Sequence, residues 1–304
     1  LILICVSKLF LEYFTFDTKI KIRRRFMKRI LTIQDISCVG KCSLTVALPI
    51  ISACGVETAI LPTAVLSTHT AFNGFTFRDL TDDLTDISMH WKKENINFNA
   101  LYSGYLGSLS QIEIVSNIFS TFKNDDNLVI VDPVMGDNGK LYTGFDTNFA
   151  KNMAKLCANA DLIVPNLTEA SFMLGLPYIE KGYSEKYIKD LLVKLTDLGC
   201  KKAVLTGVSL NDEDLGVYGY DKEKNEYFSY FRERLPVSFH GTGDVFASAL
   251  TGALTETGDF KHSLKIAVDF TVKCIDITIK NPNHNWYGVE FENALPYLID
   301  LLGK

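Results

Sequence analysis

A glycine-rich segment, His240-Gly241-Thr242-Gly243-Asp244, lies directly before the run VFASALTGAL, whose spacing predicts a helix. The two glycines allow the backbone to turn tightly and to approach a ligand closely. The free N–H groups and the positive dipole end of a helix N-terminus suit a phosphate group. Asp244 could accept the proton of a hydroxyl that attacks this phosphate. The same residues also fit a purely structural turn, in which Thr242 caps the helix and the negative charge of Asp244 interacts with the positive end of the helix dipole.

Two carboxylates, Asp132 and Asp137, flank the end of the apolar run LVIVDP. Carboxylates in this place would repel a phosphorylated ligand unless a cation lay between them, which makes Mg²⁺ or a monovalent ion their natural partner. The alternative is an ordinary turn between a strand and a helix, with Asp137 in solvent.

Asn166 follows a predicted strand, and Glu169 stands three residues further along the chain. The pair could bind a phosphate, a metal ion or a metal-bound water. The spacing also matches a helix capping box in which Asn166 is the cap. Both interpretations stay open at the level of sequence.

Short β-rich runs alternate with segments of helical spacing from residue 28 onward, which predicts an α/β fold. We expect a mostly parallel sheet with helices on both faces, in a single domain over residues 27–304. The predicted strands are 29–34, 57–66, 99–105, 128–133, 162–165 and 202–206, then an antiparallel pair at 215–221 and 226–232. The predicted helices are 43–54, 80–94, 111–122, 146–158, 168–174, 184–198, 244–256, 260–279 and 290–302.

Several polar residues follow a predicted strand or open the next helix. In open α/β sheets ligands bind beyond the carboxyl ends of the strands, so these residues are expected to share one site. They are Asp35, Thr70, Tyr105, Asp132, Asn166, Thr206 and Asp244.

The composition excludes several classes of protein. A formal net charge of −5 gives no reason to expect nucleic acid as a partner. Gly40-Lys41-Cys42 lacks the upstream glycine and the hydroxyl residue of a Walker A loop, and no dinucleotide fingerprint follows the first strand. The seven scattered cysteines are interpreted as reduced thiols of a cytosolic protein. The histidines, and Trp91 with Trp286, are interpreted as structural residues.

Residues 1–26 differ in character from the rest of the chain. An apolar, aromatic stretch comes first and a basic cluster follows it, which is the reverse of a secretory signal, and the stretch is short for a membrane span. We predict that the fold begins at Met27 and that residues 1–26 are an upstream extension outside it. An anchor at a membrane surface is the alternative.

Taken together, the motifs resemble the ribokinase superfamily, and within it the pyridoxal/pyridoxamine kinases. The resemblance runs from about Lys28 to the C-terminus. It rests on ILTIQDISCVGKCS, LSTHTAFNGFTF, YSGYLGS, VDPVMGDNGKLY, VPNLTEA, LTG and HGTGD, in that order. It implies a three-layer α/β/α fold and an ATP-dependent kinase that phosphorylates the 5′-hydroxymethyl group of a vitamin B6 vitamer. It also implies Mg²⁺, with a monovalent cation such as K⁺ as a further candidate, and a cytoplasmic homodimer that binds no nucleic acid and no membrane.

The resemblance assigns a role to each candidate residue. Asp244 is similar to the family's catalytic base, and Gly241, Thr242 and Gly243 to its anion hole. The metal positions are Asp132 and Glu169. The positions for ATP are Asn166, Thr206, Gly207, Asp137 and Tyr142, the last two within a flap that spans residues 135–142. The vitamin pocket is matched by Asp35, Thr70 and Tyr105.

Asp35 is a departure from the pattern, because pyridoxal kinases often have serine at this position. Hydroxymethylpyrimidine kinases of thiamin synthesis resemble the same family, and some carry an acidic residue in this region. A buried carboxylate could pair with a protonated ring nitrogen or an amine. A hydroxymethylpyrimidine kinase is therefore the first alternative. A non-catalytic B6-binding protein is the second, although such a carrier would need neither Asp244 nor the glycine loop.

Overall fold

The computed structural model describes residues 27–304, which form a nine-stranded sheet and a separate two-stranded hairpin. The sheet strands are β1 (Arg29–Val39), β2 (Glu57–Thr68), β3 (Phe77–Asp79), β4 (Ala100–Ser103), β5 (Leu128–Val131), β8 (Leu162–Ile163), β9 (Lys202–Val208), β10 (Asp214–Asp221) and β11 (Glu226–Glu233). Their order across the sheet is β11-β10-β9-β8-β5-β4-β1-β2-β3. The six central strands, from β9 to β2, are parallel, and antiparallel strands close both edges. The hairpin consists of β6 (Gly136–Asp137) and β7 (Lys140–Leu141).

Nine α-helices within residues 27–304 cover the two faces of this sheet. They are α1 (Leu44–Ala53), α2 (Thr81–Lys93), α3 (Leu109–Phe122), α4 (Thr147–Ala158), α5 (Leu167–Leu174), α6 (Glu185–Asp197), α7 (Thr242–Thr257), α8 (Phe260–Lys280) and α9 (Leu295–Leu301), with a 3₁₀ turn at Phe291–Ala294. Successive strand residues point to opposite faces, so Val129 and Val131 pack with α2 to α6 while Ile130 packs with α1, α7, α8 and α9. The predicted α/β fold with helices on both faces is confirmed.

Differences from the predicted elements are local. The short strand β3 and the hairpin β6–β7 were not predicted, because two or three residues show no readable period. The helix predicted over 290–302 is divided, and α9 begins only next to Pro296, which suits the first turn of a helix because it has no N–H to lose. β1 continues past its predicted end to Val39, which places Asp35 inside the strand.

No helix within residues 27–304 is long and apolar enough to cross a membrane. The prediction for residues 1–26 lies outside the described residues.

Candidate active site

A cavity of about 110 Å³ lies at the carboxyl ends of the parallel strands. Most of the predicted polar residues lie there, close to the points where strands end and helices begin. Eight of the sequence-predicted site residues line it: Asp132, Tyr142, Asn166, Glu169, Thr206, Gly241, Gly243 and Asp244. Asp132 follows β5, Tyr142 follows the hairpin and Thr206 lies near the end of β9, whereas the other residues lie at the start of α5 or of α7. Residues far apart in sequence are therefore brought to one point by the parallel sheet.

A second cavity of about 550 Å³ adjoins the first and shares Tyr142, Asn166 and Thr206 with it. It adds the predicted residues Asp137, Gly207 and Thr242. Its far wall is largely apolar and includes Leu215, Val217, Phe239, Val268, Val272 and Ile275. The combined cavity therefore has a polar end and an apolar end. This suits a ligand such as a nucleotide, which has polar phosphates and a largely apolar base.

Asp244 lies in the first turn of α7, a 16-residue helix capped by Gly241 in the left-handed region at φ 78°. The Thr242 hydroxyl donates to the Phe239 carbonyl at 3.2 Å, so the alternative in which Thr242 caps the helix is wrong. Among the described residues no side chain caps this helix. The N–H groups of the first turn are therefore available to an anion in the cavity.

Burial raises the pKa of Asp244 to about 7. The backbone amide of Ser43 opposes this shift, and the negative charge of Asp35 adds to it. Ser43 has a positive φ of 50°, which is unusual for a residue other than glycine and recurs at functional sites. A carboxyl group that titrates near neutral pH is suited to accept a proton in that range.

Asp132 and Glu169 are two buried carboxyl groups that also line the first cavity. Burial is the main cause that raises the pKa of each, and the charges of Glu169 and Asp244 raise that of Asp132 further. Within residues 27–304 no group of three His, Cys, Asp or Glu side chains is arranged to hold a metal ion. Mg²⁺ is commonly held by one or two carboxylates and substrate phosphates, so this pair fits the ion only together with a phosphorylated ligand.

Glu169 also has the structural role that its spacing allowed. Its carboxylate accepts from the Asn166 N–H at 2.8 Å, and the Asn166 side chain accepts from the Glu169 N–H at 2.9 Å. The capping box is therefore present. The second carboxylate oxygen accepts from the Met135 N–H at 3.2 Å and ties α5 to the segment after β5. Capping holds Glu169 at the cavity wall and is compatible with ligand binding there.

We expect Asp132→Asn to stabilise the ligand-free protein at pH 8. An unfolded Asp titrates near pH 4, whereas the folded pKa of Asp132 is raised. The folded chain thus binds more protons between these two pKa values, and its stability falls as pH rises through that interval. Asparagine does not titrate, so the variant does not lose this stability at high pH. Its Tm at pH 8 should be about 2–4 °C higher, which corresponds to about 1 kcal/mol. Thermal scans at pH 5 and pH 8 measure it, with the exposed Asp86→Asn as control; a lower Tm of Asp132→Asn at pH 8 would contradict the prediction.

The hairpin β6–β7 lies within the segment 135–142 predicted to be a flap and is tied to the start of α5. Its turn at Asn138-Gly139 has two positive φ angles, as a two-residue hairpin turn requires. The Gly139 N–H donates to the Thr168 hydroxyl at 2.9 Å, and the Asn166 side chain donates to the Gly136 carbonyl at 2.9 Å. Asp137 is exposed beside the larger cavity.

Asp35 lies at a register shift in the pairing of β1 with β2, between Gln34 and Ile36. Such irregularities often redirect a side chain beside an active site. Asp35 is buried, accepts from the Ser37 hydroxyl at 3.2 Å and has a pKa raised chiefly by that burial. Its charge influences Asp244 and also the half-buried Tyr105, so these predicted residues share one neighbourhood.

Thr70 is placed differently from the other predicted vitamin-pocket residues. It is exposed in a turn after β2, and no hydrogen bond among the described residues joins it to Asp35 or Tyr105. The neighbouring residue His69 is the buried one, and its imidazole lies 5.5 Å from that of His240 between ring centroids.

An aromatic cluster beside the glycine loop was missed by the sequence interpretation. His69, Phe72, His240, Trp286 and Tyr287 come from three separate segments. The rings of Phe72 and Trp286 lie 4.6 Å apart, although Trp286 is 56% exposed. The run HNWYG was the only local signal, and a contact between three distant loops has no periodicity that a sequence would display.

The two glycines of the predicted anion hole, Gly241 and Gly243, should respond differently to alanine. A Cβ on Gly241 would lie 1.7 Å from the Lys41 carbonyl oxygen, whereas a Cβ on Gly243 meets no atom within 4 Å. Gly241→Ala should lower the Tm by several degrees, the cost of about 1–3 kcal/mol of backbone strain. Gly243→Ala should keep the Tm, but its methyl group enters the cavity and should raise the KM for ATP about 10-fold. Equal Tm values, or an unchanged KM in Gly243→Ala, would contradict this geometry.

The profile of the phosphomethylpyrimidine kinase family matches residues 48–288, most of the chain and nearly all of the site. The chain belongs to this family. A Bacteroides thetaiotaomicron protein classed as a phosphomethylpyrimidine kinase and crystallised with pyridoxal is 40% identical, with a TM-score of 0.85 over 90% of this chain and 96% of that one. A pyridoxal kinase from Lactobacillus plantarum is 31% identical, with a TM-score of 0.82 over 90% and 97% of the two chains. A Dictyostelium discoideum pyridoxal kinase is 27% identical over 82% of this chain and 86% of its own.

Proposed function

We propose that this protein is an ATP-dependent kinase that phosphorylates the 5′-hydroxymethyl group of a vitamin B6 vitamer by direct in-line transfer. The observation that carries the proposal is Asp244. It has a pKa near neutrality at the start of α7 and lines the same cavity as Asp132 and Glu169. Similar proteins named pyridoxal kinases, and one crystallised with pyridoxal, support the vitamer as substrate.

In the proposed reaction the substrate hydroxyl lies between Asp244 and the γ-phosphate of ATP. Asp244 accepts the hydroxyl proton as the phosphoryl group is transferred. The N–H groups at the start of α7 donate to the phosphoryl oxygens, where negative charge develops. Because these groups are held by a long helix, they need no rearrangement during the step.

Asp132 and Glu169 are the residues that would hold Mg²⁺. The ion would supply positive charge between these carboxylates and the ATP phosphates and so offset their repulsion. The donor set of two buried carboxylates is compatible with this hard cation. K⁺ remains a prediction of the family resemblance, as do the homodimer and the cytoplasmic location.

The nucleotide is proposed to occupy the larger cavity. Thr206 and Gly207 at the end of β9, with Asn166, would contact its phosphates, and the apolar wall would receive the base. Asp137 and Tyr142 belong to the flap, which would cover the nucleotide and the acceptor and exclude water that would otherwise hydrolyse ATP.

A hydroxymethylpyrimidine kinase is the second candidate, and the family profile is compatible with it. The buried Asp35 is compatible with both substrates, because a carboxylate can pair with a protonated ring nitrogen or with an amine. A non-catalytic carrier would have no use for a titrating carboxylate beside a free helix N-terminus.

A kinase assay with separate substrates tests the proposal. ADP release is followed with pyridoxal, pyridoxamine, pyridoxine and hydroxymethylpyrimidine in turn, and the phosphorylated product is identified by mass. A higher kcat/KM for a B6 vitamer is expected. A clear preference for hydroxymethylpyrimidine would establish the second candidate. The absence of ATP turnover with all four substrates would overturn both candidates.

A further inference from the structure

The flap, residues 135–142, contains a hairpin that is separate from the nine-stranded sheet. Each strand of this hairpin has only two residues, and the strands pair Gly136 with Leu141 and Asp137 with Lys140. An isolated two-stranded hairpin is marginally stable at best in water. The order of the flap therefore depends on its contacts with the rest of the protein.

The base of the flap is bound to the first turn of α5 by two hydrogen bonds. The Met135 N–H donates to the Glu169 carboxylate at 3.2 Å. The Asn166 side-chain amide donates to the Gly136 carbonyl at 2.9 Å. Asn166 and Glu169 also line the smaller cavity, so the base of the flap is held by residues of the site itself.

The tip of the flap is held by Thr168, which lies between those two residues in the chain. The N–H of Gly139, in the hairpin turn, donates to the Thr168 hydroxyl at 2.9 Å. The turn also packs closely on Tyr178, because a Cβ placed on Gly139 would lie 2.6 Å from a carbon of the Tyr178 ring. Thr168 is only 2% exposed, so water cannot readily replace its hydroxyl as the acceptor.

The flap carries two candidate nucleotide-site residues. Tyr142 lines both cavities, and Asp137 lines the larger one. Among the described residues that line either cavity Thr168 is not included, so it differs from Asn166 and Glu169 on the same helix turn. Its hydroxyl is connected to the site through the flap.

We propose that Thr168 is a positioning residue, whose hydroxyl holds the tip of the flap closed over the nucleotide site. The inference rests on the proposed kinase function and adds a residue to it. While the bond to Gly139 is intact, Tyr142 and Asp137 stay beside the cavities, and water is kept from the phosphates of ATP. When the bond breaks, the tip opens while the base stays bound to α5. The bond therefore determines how often bound ATP is exposed to water.

Thr168→Val tests this role, because valine has nearly the same shape but cannot accept a hydrogen bond. Limited trypsin digestion reports on the flap, since Lys140 is exposed next to the hairpin turn. Lys224, exposed in the turn between β10 and β11, is the internal reference. The rate of cleavage after Lys140, relative to that after Lys224, should rise at least about fivefold, the scale of one lost hydrogen bond. Thr168→Ser retains a hydroxyl and should keep the ratio of the parent protein.

Ser171→Ala is the matched control, because it removes another buried hydroxyl from α5. Ser171 donates to the Leu167 carbonyl at 2.8 Å within the helix, so its cleavage ratio should equal that of the parent protein. Without a vitamer, Thr168→Val should hydrolyse ATP at least about threefold faster than Ser171→Ala, because water enters through the open flap. If Thr168→Val folds poorly, Thr168→Ala gives the same test with a better helix former.

A cleavage ratio in Thr168→Val equal to that in Ser171→Ala would overturn the inference. Equal acceleration at Lys140 and Lys224 would overturn it too, because this would indicate general destabilisation. So would unchanged ATP hydrolysis in a protein that phosphorylates a vitamer. Cleavage after Lys140 requires no turnover, so it tests the flap contact even if the proposed function fails, and the assay with four substrates tests that function separately.

Discussion

Asp244→Asn is expected to lower kcat by about 100-fold or more, the usual scale for a missing general base. Asparagine has nearly the same shape and keeps the first turn of α7, so the fold and ATP affinity should be retained. Steady-state kinetics and ATP titration of the folded variant measure the two quantities. The exposed Asp86→Asn is the control for a lost carboxylate elsewhere on the surface. A kcat within a few-fold of the parent protein would rule out Asp244 as the base.

The pH dependence gives the same assignment a second test. Asp244 must be ionised to accept a proton, and its pKa in the free protein is about 7. On the acidic side kcat/KM should therefore rise with pH and level off above neutrality. In Asp244→Asn the remaining activity should no longer rise with pH in this range. A profile that stays flat between pH 5 and pH 8 in the parent protein would contradict a base at this position.

Asp35→Ser is expected to change the order of substrate preference. Asp35 is buried and influences Asp244 by its charge. If it pairs with a donor on the substrate, that pairing is lost on replacement by the shorter neutral hydroxyl. A buried partner lost in this way costs about 1–3 kcal/mol, which corresponds to roughly 5- to 150-fold in relative specificity.

The measurement compares kcat/KM for pyridoxamine, pyridoxal and hydroxymethylpyrimidine in both proteins. Substrates that carry a positive or donating group opposite Asp35 should lose most. Equal losses for all three would mean general damage to the pocket. Unchanged ratios would show that Asp35 holds the segment after β1 and does not read the substrate.

The sequence predicted most of the fold because its patterns are local. Apolar runs such as LVIVDP and helical spacings extend over enough residues to be read, and their alternation leaves few arrangements other than a parallel sheet. The motif order was likewise sufficient to indicate the family. The elements that it missed, β3 and the hairpin at 136–141, are two or three residues long and exist through pairing with another segment.

The chemistry of the site was decided by tertiary structure. The chain alone showed that Asp132, Glu169 and Asp244 follow strands or open helices, but not that one small cavity would bring their charges together and raise their pKa values. It also gave no reason to expect His69 to contact Trp286. Burial and charge proximity depend on neighbours that are distant in sequence, so they are properties of the packed molecule. Residue types and their order indicate the family and the candidate site residues, whereas packing determines how each group titrates and which groups it contacts.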